Sequence, residues 1–211
     1  MQSEAMREFF TALGGEQRLV DAFLAAEIAL AGAIICAYGV AAASRLHSEE
    51  DSGHAQLLLS APTTRLRWAA SHTLIALLGS AVVLLVAGVG IGVGHGVAIH
   101  NVGEETVRML GAAAGHIPAA WVLVGLVLIA FGWFPLAVPA VWGVLVAFLV
   151  LREFGQLWQL PQWVQDLSPF AHSPTLPGGT VDTGHTALVV LTALLLCVIG
   201  LVGWRRRDMR A

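Results

Sequence analysis

Charged residues are scarce in this 211-residue chain, and lysine is missing altogether. Aspartate, glutamate and arginine together make up 12% of the sequence, hydrophobic residues make up 57%, and the mean hydropathy is +0.76. Because a soluble domain carries about 25% charged residues, this composition excludes an ordinary soluble protein. The eleven basic residues are all arginine, and their one run, 205–207, is too short for a nucleic-acid-binding surface.

The motifs of common enzyme chemistry are also missing. The sequence contains no Walker-type phosphate loop, no nucleophile elbow and no HExxH motif, and none of its eight histidines has zinc-site spacing with a nearby acid. We therefore expect no catalytic residue, metal or bound cofactor in this chain. Its two cysteines, Cys36 and Cys197, lie in apolar stretches, where cysteine packs as a small hydrophobe rather than building a disulfide framework.

Long apolar stretches dominate what remains, and several reach the roughly 20 residues that a helix needs to cross a bilayer core. The sequence therefore predicts an all-α integral membrane protein with five transmembrane helices. The predicted spans are 20–43, 69–94, 106–131, 136–151 and 186–204. The predicted connections are an external amphipathic N-terminal segment (1–19), a cytoplasmic loop with a surface helix (44–68), an external loop (95–105), an inner turn (132–135), an external amphipathic helix and loop (152–185) and a cytoplasmic tail (205–211).

Arginine is distributed unevenly between the two sides of this topology. Seven of the eleven arginines fall in the loop 44–68 and the tail 205–211. Cytoplasmic loops are enriched in basic residues, so we expect the N-terminus outside and the C-terminus in the cytoplasm. A chain that begins outside without a signal peptide also leads us to expect a further span upstream of Met1.

The loop 44–68 predicts a short helix lying along the membrane surface. Ser48 has the residue type of an N-cap, and Glu49, Glu50 and Asp51 would then fill the first turn, where the helix dipole favours acids. Pro62 would end the helix. A helix held between two spans is well placed to pass force from a soluble partner into the membrane. An ordinary solvated loop helix is an equally good interpretation of these residues.

Glycines spaced by four mark the second predicted span, where they occur at every second position from Gly88 to Gly96. Such spacing lets helix backbones approach closely, so we favour helix packing over a flexible pore-lining helix.

Glu27 is the acid placed deepest in the predicted spans. A carboxylate there marks either a substrate path or a polar pairing, and Asp21 and Arg18 are near enough in sequence to join it. The functional and the structural interpretation of Glu27 both stay open.

The segment 151–170 alternates apolar and polar residues at roughly helical spacing, which predicts a helix lying in or dipping into the outer interface. The proline- and glycine-rich stretch 172–179 that follows predicts a rigid external loop.

The chain resembles the second half of the ABC-2 type exporter permeases, in particular the actinobacterial group associated with polyketide antibiotic and tetronasin resistance. The resemblance covers essentially the whole chain, which departs from the family pattern at His54, where the family has a basic residue, and at Gln56, where it has an acid. The stretches that carry it are Ser48-Glu49-Glu50 with Gly53, Leu57-Leu58 and Arg65-x-Arg67-Trp68-x-x-Ser71-His72; Leu167-Ser-Pro-Phe-Ala-His172-x-Pro-x-Leu-Pro-Gly-Gly179; and Gly200-x-x-Gly203-x-Arg-Arg-Arg-Asp208.

This resemblance implies a permease subunit of the bacterial cytoplasmic membrane that exports hydrophobic, antibiotic-like molecules. A separate ATPase subunit would bind and hydrolyse ATP. The surface helix would be the coupling helix that docks on that ATPase through Glu49, Glu50, Gly53, Leu57 and Leu58. Glu27 and Asp21 would be a possible polar site within the membrane.

Family members have about twelve spans in two similar halves, whereas five are predicted here. The resemblance therefore implies either a split permease completed by another permease chain or half, or an inactive remnant of a longer permease. A membrane scaffold or regulatory subunit that does not itself transport is the alternative function. An adjacent ATPase gene, with upstream sequence that encodes the missing spans, would favour the exporter.

The predicted topology is tested by cysteine labelling of intact cells with a membrane-impermeant thiol reagent. We expect Ser3→Cys to react from outside and Asp208→Cys to react only after the membrane is opened, because the arginine bias places residue 208 in the cytoplasm. Labelling of Asp208→Cys in intact cells would overturn the topology.

Overall fold

The computed structural model of the chain describes residues 15–52, 64–155, 157–173 and 182–207. Within these ranges the secondary structure consists of helices and turns. The helices are α1 (Gly15–Asp51), α2 (Arg65–Ala98), α3 (Val102–Ala114), α4 (Ile117–Trp133), α5 (Ala140–Phe154), α6 (Gln162–Gln165) and α7 (Thr183–Arg206), with 3-10 turns at Pro135–Ala137 and Pro169–His172.

Four of the described helical stretches are long and apolar enough to cross a membrane. They are Val20–Asp51, Arg65–Ala98, Val102–Trp133 and Thr183–Arg206. The expected all-helical membrane fold is therefore confirmed, but the count of five spans is not. The fourth predicted span, 136–151, corresponds to a 3-10 turn followed by the 15-residue helix α5, which is shorter than a typical spanning helix.

α4 lies at the centre of the bundle and packs against α1, α2 and α7. In the apolar part of the span that contains α4, 67% of the residues are buried inside the bundle, compared with 22% to 28% in the other three spans. Its contact with α7 is close because both helices present glycine. A Cβ atom at Gly125 would lie 2.7 Å from Leu196 Cβ, and one at Gly200 would lie 2.5 Å from the carbonyl carbon of Leu128.

The span Val102–Trp133 contains a break between α3 and α4, at Gly115 and His116. Pro118 has no backbone N–H and its ring disfavours a continuous helix, which accounts for the break. The His116 ring is buried there, 3.1 Å from the Ala112 carbonyl oxygen through Nδ1, and its Cδ2 would be 2.9 Å from a Cβ at Gly32. His116 therefore lies inside the span Val102–Trp133.

The segment after α5 does not form the continuous surface helix predicted for 151–170. α5 ends at Phe154, Pro161 precedes the four-residue helix α6, and Pro169 begins a 3-10 turn, so the prolines divide the segment into short pieces. The amphipathic character is nevertheless present, because Leu157 and Trp163 are exposed. Most of the expected external loop at 172–179 lies outside the described residues, which end here at residue 173.

Asp182 caps the start of α7. Its Oδ1 accepts hydrogen bonds from the backbone N–H groups of Gly184 (2.9 Å) and His185 (3.1 Å), and its Oδ2 lies 2.6 Å from His185 Nδ1. The contact with the His185 side chain, helped by these backbone donors, lowers the pKa of Asp182. Since the folded-state pKa is lowered, the cap stabilises α7 at neutral pH and is lost as the pH falls through that value.

The predicted packing role is confirmed for three of the five glycines from Gly88 to Gly96 of α2, which lie on the face that contacts α3. A Cβ at Gly88 would meet Ala113 Cβ at 2.8 Å, and Cβ atoms at Gly92 and Gly96 would meet the Cα atoms of Thr106 and Val102 at 2.6 Å. A Cβ at Gly90 or Gly94 would have no neighbouring atom within 4 Å, so these two positions point away from α3. Helix packing, rather than flexibility, explains the three buried glycines.

We predict that Gly92→Ala destabilises the protein whereas Gly90→Ala does not. The added methyl group at residue 92 meets backbone of α3, which must shift, and overpacking of this kind costs about 1–3 kcal/mol. Thermal unfolding of both variants in detergent micelles measures the difference. Equal melting temperatures for the two variants would show that the α2–α3 contact does not depend on glycine.

Candidate functional site

One end of the bundle holds a cluster of aromatic and charged side chains, called here the tryptophan cluster. Its members are Trp68, Phe131, Trp204, Arg207 and Glu50. The rings of Phe131 and Trp204 are stacked with their centroids 4.7 Å apart, and those of Trp68 and Trp204 are 5.8 Å apart. The Arg207 guanidinium lies 5.3 Å from the Phe131 centroid and 5.0 Å from the Trp204 centroid. These contacts place the ends of α1, α4 and α7 and the start of α2 together.

The ion pair between Glu50 and Arg207 joins the last turn of α1 to the residue that ends α7. The two side chains are only 8% and 18% exposed, and Arg207 Nη1 also donates a 3.0 Å hydrogen bond to the Phe131 carbonyl oxygen. A carboxylate this well buried is stable only with its partner, since leaving one member of a buried pair alone costs about 3–5 kcal/mol.

The predicted start of a new helix at Ser48 is wrong. Ser48 lies inside α1, where its carbonyl oxygen accepts a 3.1 Å hydrogen bond from Ser52 N–H, and Glu49, Glu50 and Asp51 form the final turn of α1. No helix breaker separates residue 43 from residue 52, so the first helix simply continues.

Negative charge at a helix C-terminus is unfavourable because that end of the helix dipole is itself negative. In this structure, basic side chains lie close to the acids of the last turn of α1. His72 Nε2 lies 3.3 Å from Glu49 Oε2, and His47 Nε2 lies 3.3 Å from Asp51 Oδ2, in addition to the Glu50–Arg207 pair. Of the predicted coupling residues, Glu49 and Glu50 therefore contact other parts of this chain. Gly53, Leu57 and Leu58 lie outside the described residues.

A second charged group, called here the polar cluster, lies at the far end of the bundle and consists of Asp21, His95, Glu105 and Arg108. Arg108 pairs with Asp21 of α1 and places Nη1 2.9 Å and 3.2 Å from the two carboxylate oxygens of Glu105, its neighbour on α3. His95 Nδ1 of α2 lies 3.2 Å from Glu105 Oε1. Besides the His95 ring, this cluster holds two carboxylates and one guanidinium.

Asp21 therefore does not pair with Glu27, and its partner, Arg108, comes from a different helix. The Glu27 side chain is exposed and has no hydrogen-bond or ion-pair partner among the residues that the structure describes. The Arg18 side chain, the other expected partner, is outside them.

Glu27 lines a cleft of about 620 Å³ between α1 and α2, called here the Glu27 cleft. Its walls are Val20, Phe23, Leu24, Ile91 and Gly94, and His95 of the polar cluster completes it. The cleft is thus apolar except for one carboxylate and one imidazole. Its size is in the range of pockets that bind drug-sized molecules.

The Glu27 cleft and the tryptophan cluster lie at opposite ends of the bundle. Glu27 precedes Glu50 by 23 residues on one helix, which corresponds to about 35 Å at 1.5 Å per residue. His72 and His95 on α2 are the same number of residues apart. Since a bilayer core is about 30 Å thick, the tryptophan cluster and the Glu27 cleft are spaced to lie at its opposite boundaries.

We did not predict the partners of these acids from the sequence. In the predicted topology Arg207 belongs to the cytoplasmic tail, Arg108 to the third span and Glu105 to the external loop 95–105. The spacing of Glu105 and Arg108 by three on one helix is the one signal that could have suggested a pair. Within the described ranges, no group of three or more histidine, cysteine or acidic side chains is arranged to hold a metal ion.

Comparison with known proteins identifies a related transporter. The family model for the C-terminal domain of the multidrug efflux system permease Rv1217c matches residues 1–205 of this chain. The multidrug efflux system permease protein Rv1217c of Mycobacterium tuberculosis is 37% identical over 206 residues, which cover 98% of this chain and 38% of that protein. The chain therefore spans well under half the length of this relative.

We predict that Glu50→Gln and Arg207→Gln each destabilise the protein by about 3 kcal/mol, since each leaves the other charge buried without a partner. The double variant is expected to lose less than the sum of the two, because neither charge remains. Unfolding in a denaturant series measures all three. The control is Arg205→Gln, an exposed arginine on the same helix end, which should leave stability unchanged. Strict additivity of the two single changes would mean that the pair does not form.

Proposed function

The chain belongs to the family of multidrug efflux permeases whose C-terminal domain it matches, and from that membership we propose that it is a permease subunit of an ABC-2 type exporter. It moves hydrophobic, antibiotic-like molecules out of the cell across the cytoplasmic membrane. The observation that carries this proposal is the match of 98% of the chain to an efflux permease. The four apolar helices supply the membrane part such a subunit needs.

A separate ATPase subunit powers the transport. The chain has no Walker-type phosphate loop, so the energy comes from a partner that binds and hydrolyses ATP. This partner docks at the end of the bundle that carries the tryptophan cluster. That end faces the cytoplasm, because it combines Arg45, Arg65, Arg67 and the arginines after Trp204.

The docking surface consists of the last turn of α1 and the segment that follows it. Asp51 is exposed and offers a carboxylate to a basic rim, while Gly53 permits close approach of the partner's backbone. The proposed surface also includes Leu57 and Leu58, which lie outside the described residues. Because the Glu50 carboxylate is paired with Arg207, Glu50 acts as a positioning residue that holds this surface in place.

The rigid helix α1 carries the motion of the ATPase across the membrane. It is a single 37-residue helix, and its cytoplasmic end is tied to α7 by Glu50 and Arg207 and to α2 by Glu49 and His72. Its other end is tied to α3 by Asp21 and Arg108 and forms one wall of the Glu27 cleft. A tilt of α1 at the docking surface therefore changes the cleft about 35 Å away.

The function is tested by coexpressing the chain with an ABC ATPase subunit and measuring ATP-dependent efflux of a hydrophobic fluorescent dye from cells. We expect efflux that requires both chains and an intact ATPase site. Efflux that persists without nucleotide hydrolysis, or that is the same with and without this chain, would contradict the proposal.

The docking surface is tested by Gly53→Trp, with Arg205→Trp as the control on the same side of the membrane. The indole at residue 53 should block the close approach of the partner and reduce co-purification of the ATPase at least tenfold, an effect of about 1.4 kcal/mol. The control should co-purify normally, because residue 205 is exposed and outside the proposed surface. Normal co-purification of Gly53→Trp would remove this segment from the interface.

A further inference from the structure

Exposed side chains along α1 form a stripe that is apolar except at one position. Phe23, Leu30 and Ile34 are each more than 60% exposed and lie at helical spacing with Glu27 among them. A carboxylate that interrupts an apolar surface beside a membrane needs either a partner or water, because an ionised acid in contact with hydrocarbon is costly. Among the described residues no partner is present. Glu27 is therefore the one charged position in this apolar stripe, and its carboxylate is open to water or to a charged partner.

The Glu27 cleft supplies the space for such a partner. Its volume of about 620 Å³ suits a molecule of drug size, and its walls offer the aromatic ring of Phe23 and the aliphatic side chains of Val20, Leu24 and Ile91. Gly94 leaves the α2 wall open, because no atom lies within 4 Å of the place that a Cβ would occupy.

The charges around the cleft favour a cation. Glu27 adds a carboxylate to a wall that His95 shares with the polar cluster, and the one guanidinium of that cluster, Arg108, is already paired with Asp21 and Glu105. The guanidinium of this cluster is thus not available to neutralise Glu27. An aromatic ring in the same cleft also attracts a cation through its face.

The walls exclude a metal ion as the occupant. A hard cation requires several oxygen ligands, and the cleft presents one carboxylate and one imidazole among apolar side chains. A cation whose charge is spread over, or attached to, a large hydrophobic body matches both the carboxylate and the apolar walls.

We propose that the Glu27 cleft is a binding site for a hydrophobic organic cation, with Glu27 as the charge partner and Phe23 and Ile91 as the apolar walls. The site lies at the membrane boundary opposite the tryptophan cluster. That the bound cation is also a transport substrate rests on the proposed efflux function. Binding of the cation to the cleft does not depend on that function.

The test measures equilibrium binding of radiolabelled tetraphenylphosphonium to the purified full chain in nanodiscs of zwitterionic lipid. Tetraphenylborate, an anion of the same size, is the matched ligand. We expect saturable binding of the cation and none of the anion. Glu27→Gln should weaken cation binding by about tenfold or more, since it removes the charge but keeps the shape of the side chain.

Two further variants make the result specific. Gly94→Leu should fill the cleft and abolish cation binding while the fold is retained, because a side chain there meets open space. Glu104→Gln should leave binding unchanged, because Glu104 is an exposed acid that contacts Asn101 instead. Thermal unfolding of each variant separates loss of binding from loss of fold.

Absence of saturable cation binding to the unmodified chain would overturn the proposal, as would equal cation affinity of the unmodified chain and Glu27→Gln. Equal affinity together with weaker association of Glu27→Gln with another permease half would assign the stripe to a contact between halves. Because no ATPase and no transport step enter the binding assay, failure of the proposed efflux function would leave its outcome unchanged.

Discussion

The ion pair between Glu50 and Arg207 is the interaction on which the organisation of this molecule most depends. It closes one end of the bundle by joining the last turn of α1 to the end of α7, and the Arg207 hydrogen bond to Phe131 adds α4 to the same contact. Around it, Trp68 and Trp204 exclude water, which strengthens the attraction between the two charges. The acids in the last turn of α1 thus have basic partners at the end of the bundle.

The far end of the bundle is held instead by the polar cluster, whose side chains come from α1, α2 and α3. Glu27 remains outside that network, and this leaves the cleft beside it open to another molecule.

Much of the fold follows from the sequence because long apolar stretches have few alternatives in a membrane. The helical class, the positions of four spans and the packing role of the buried glycines were all predictable from hydropathy and spacing. The break at His116 also has a local cause in Pro118. The shortness of α5 was harder to predict, since an apolar stretch of 16 residues is compatible both with a span and with a shorter helix.

The site was less predictable because its geometry depends on residues far apart in the chain. Ser48 and the three acids after it match the pattern of a helix start, and nothing local indicates that Arg207, 157 positions after Glu50, binds one of them instead. In the same way, sequence proximity suggested that Asp21 would join Glu27, whereas Arg108 of another helix pairs with Asp21. Spacing along one helix reports which residues share a face, and it does not report which other helix faces them.

The central proposal is that a partner acting at the end of α1 that carries the tryptophan cluster changes the Glu27 cleft at its other end. The most direct measurement is the distance between spin labels at Phe23 and Gly94, on the two walls of the Glu27 cleft, in the assembled transporter with and without trapped nucleotide. We predict that the distance distribution shifts when nucleotide is trapped, and that the shift is lost in Arg207→Gln. An unchanged distance while the ATPase turns over would contradict this coupling.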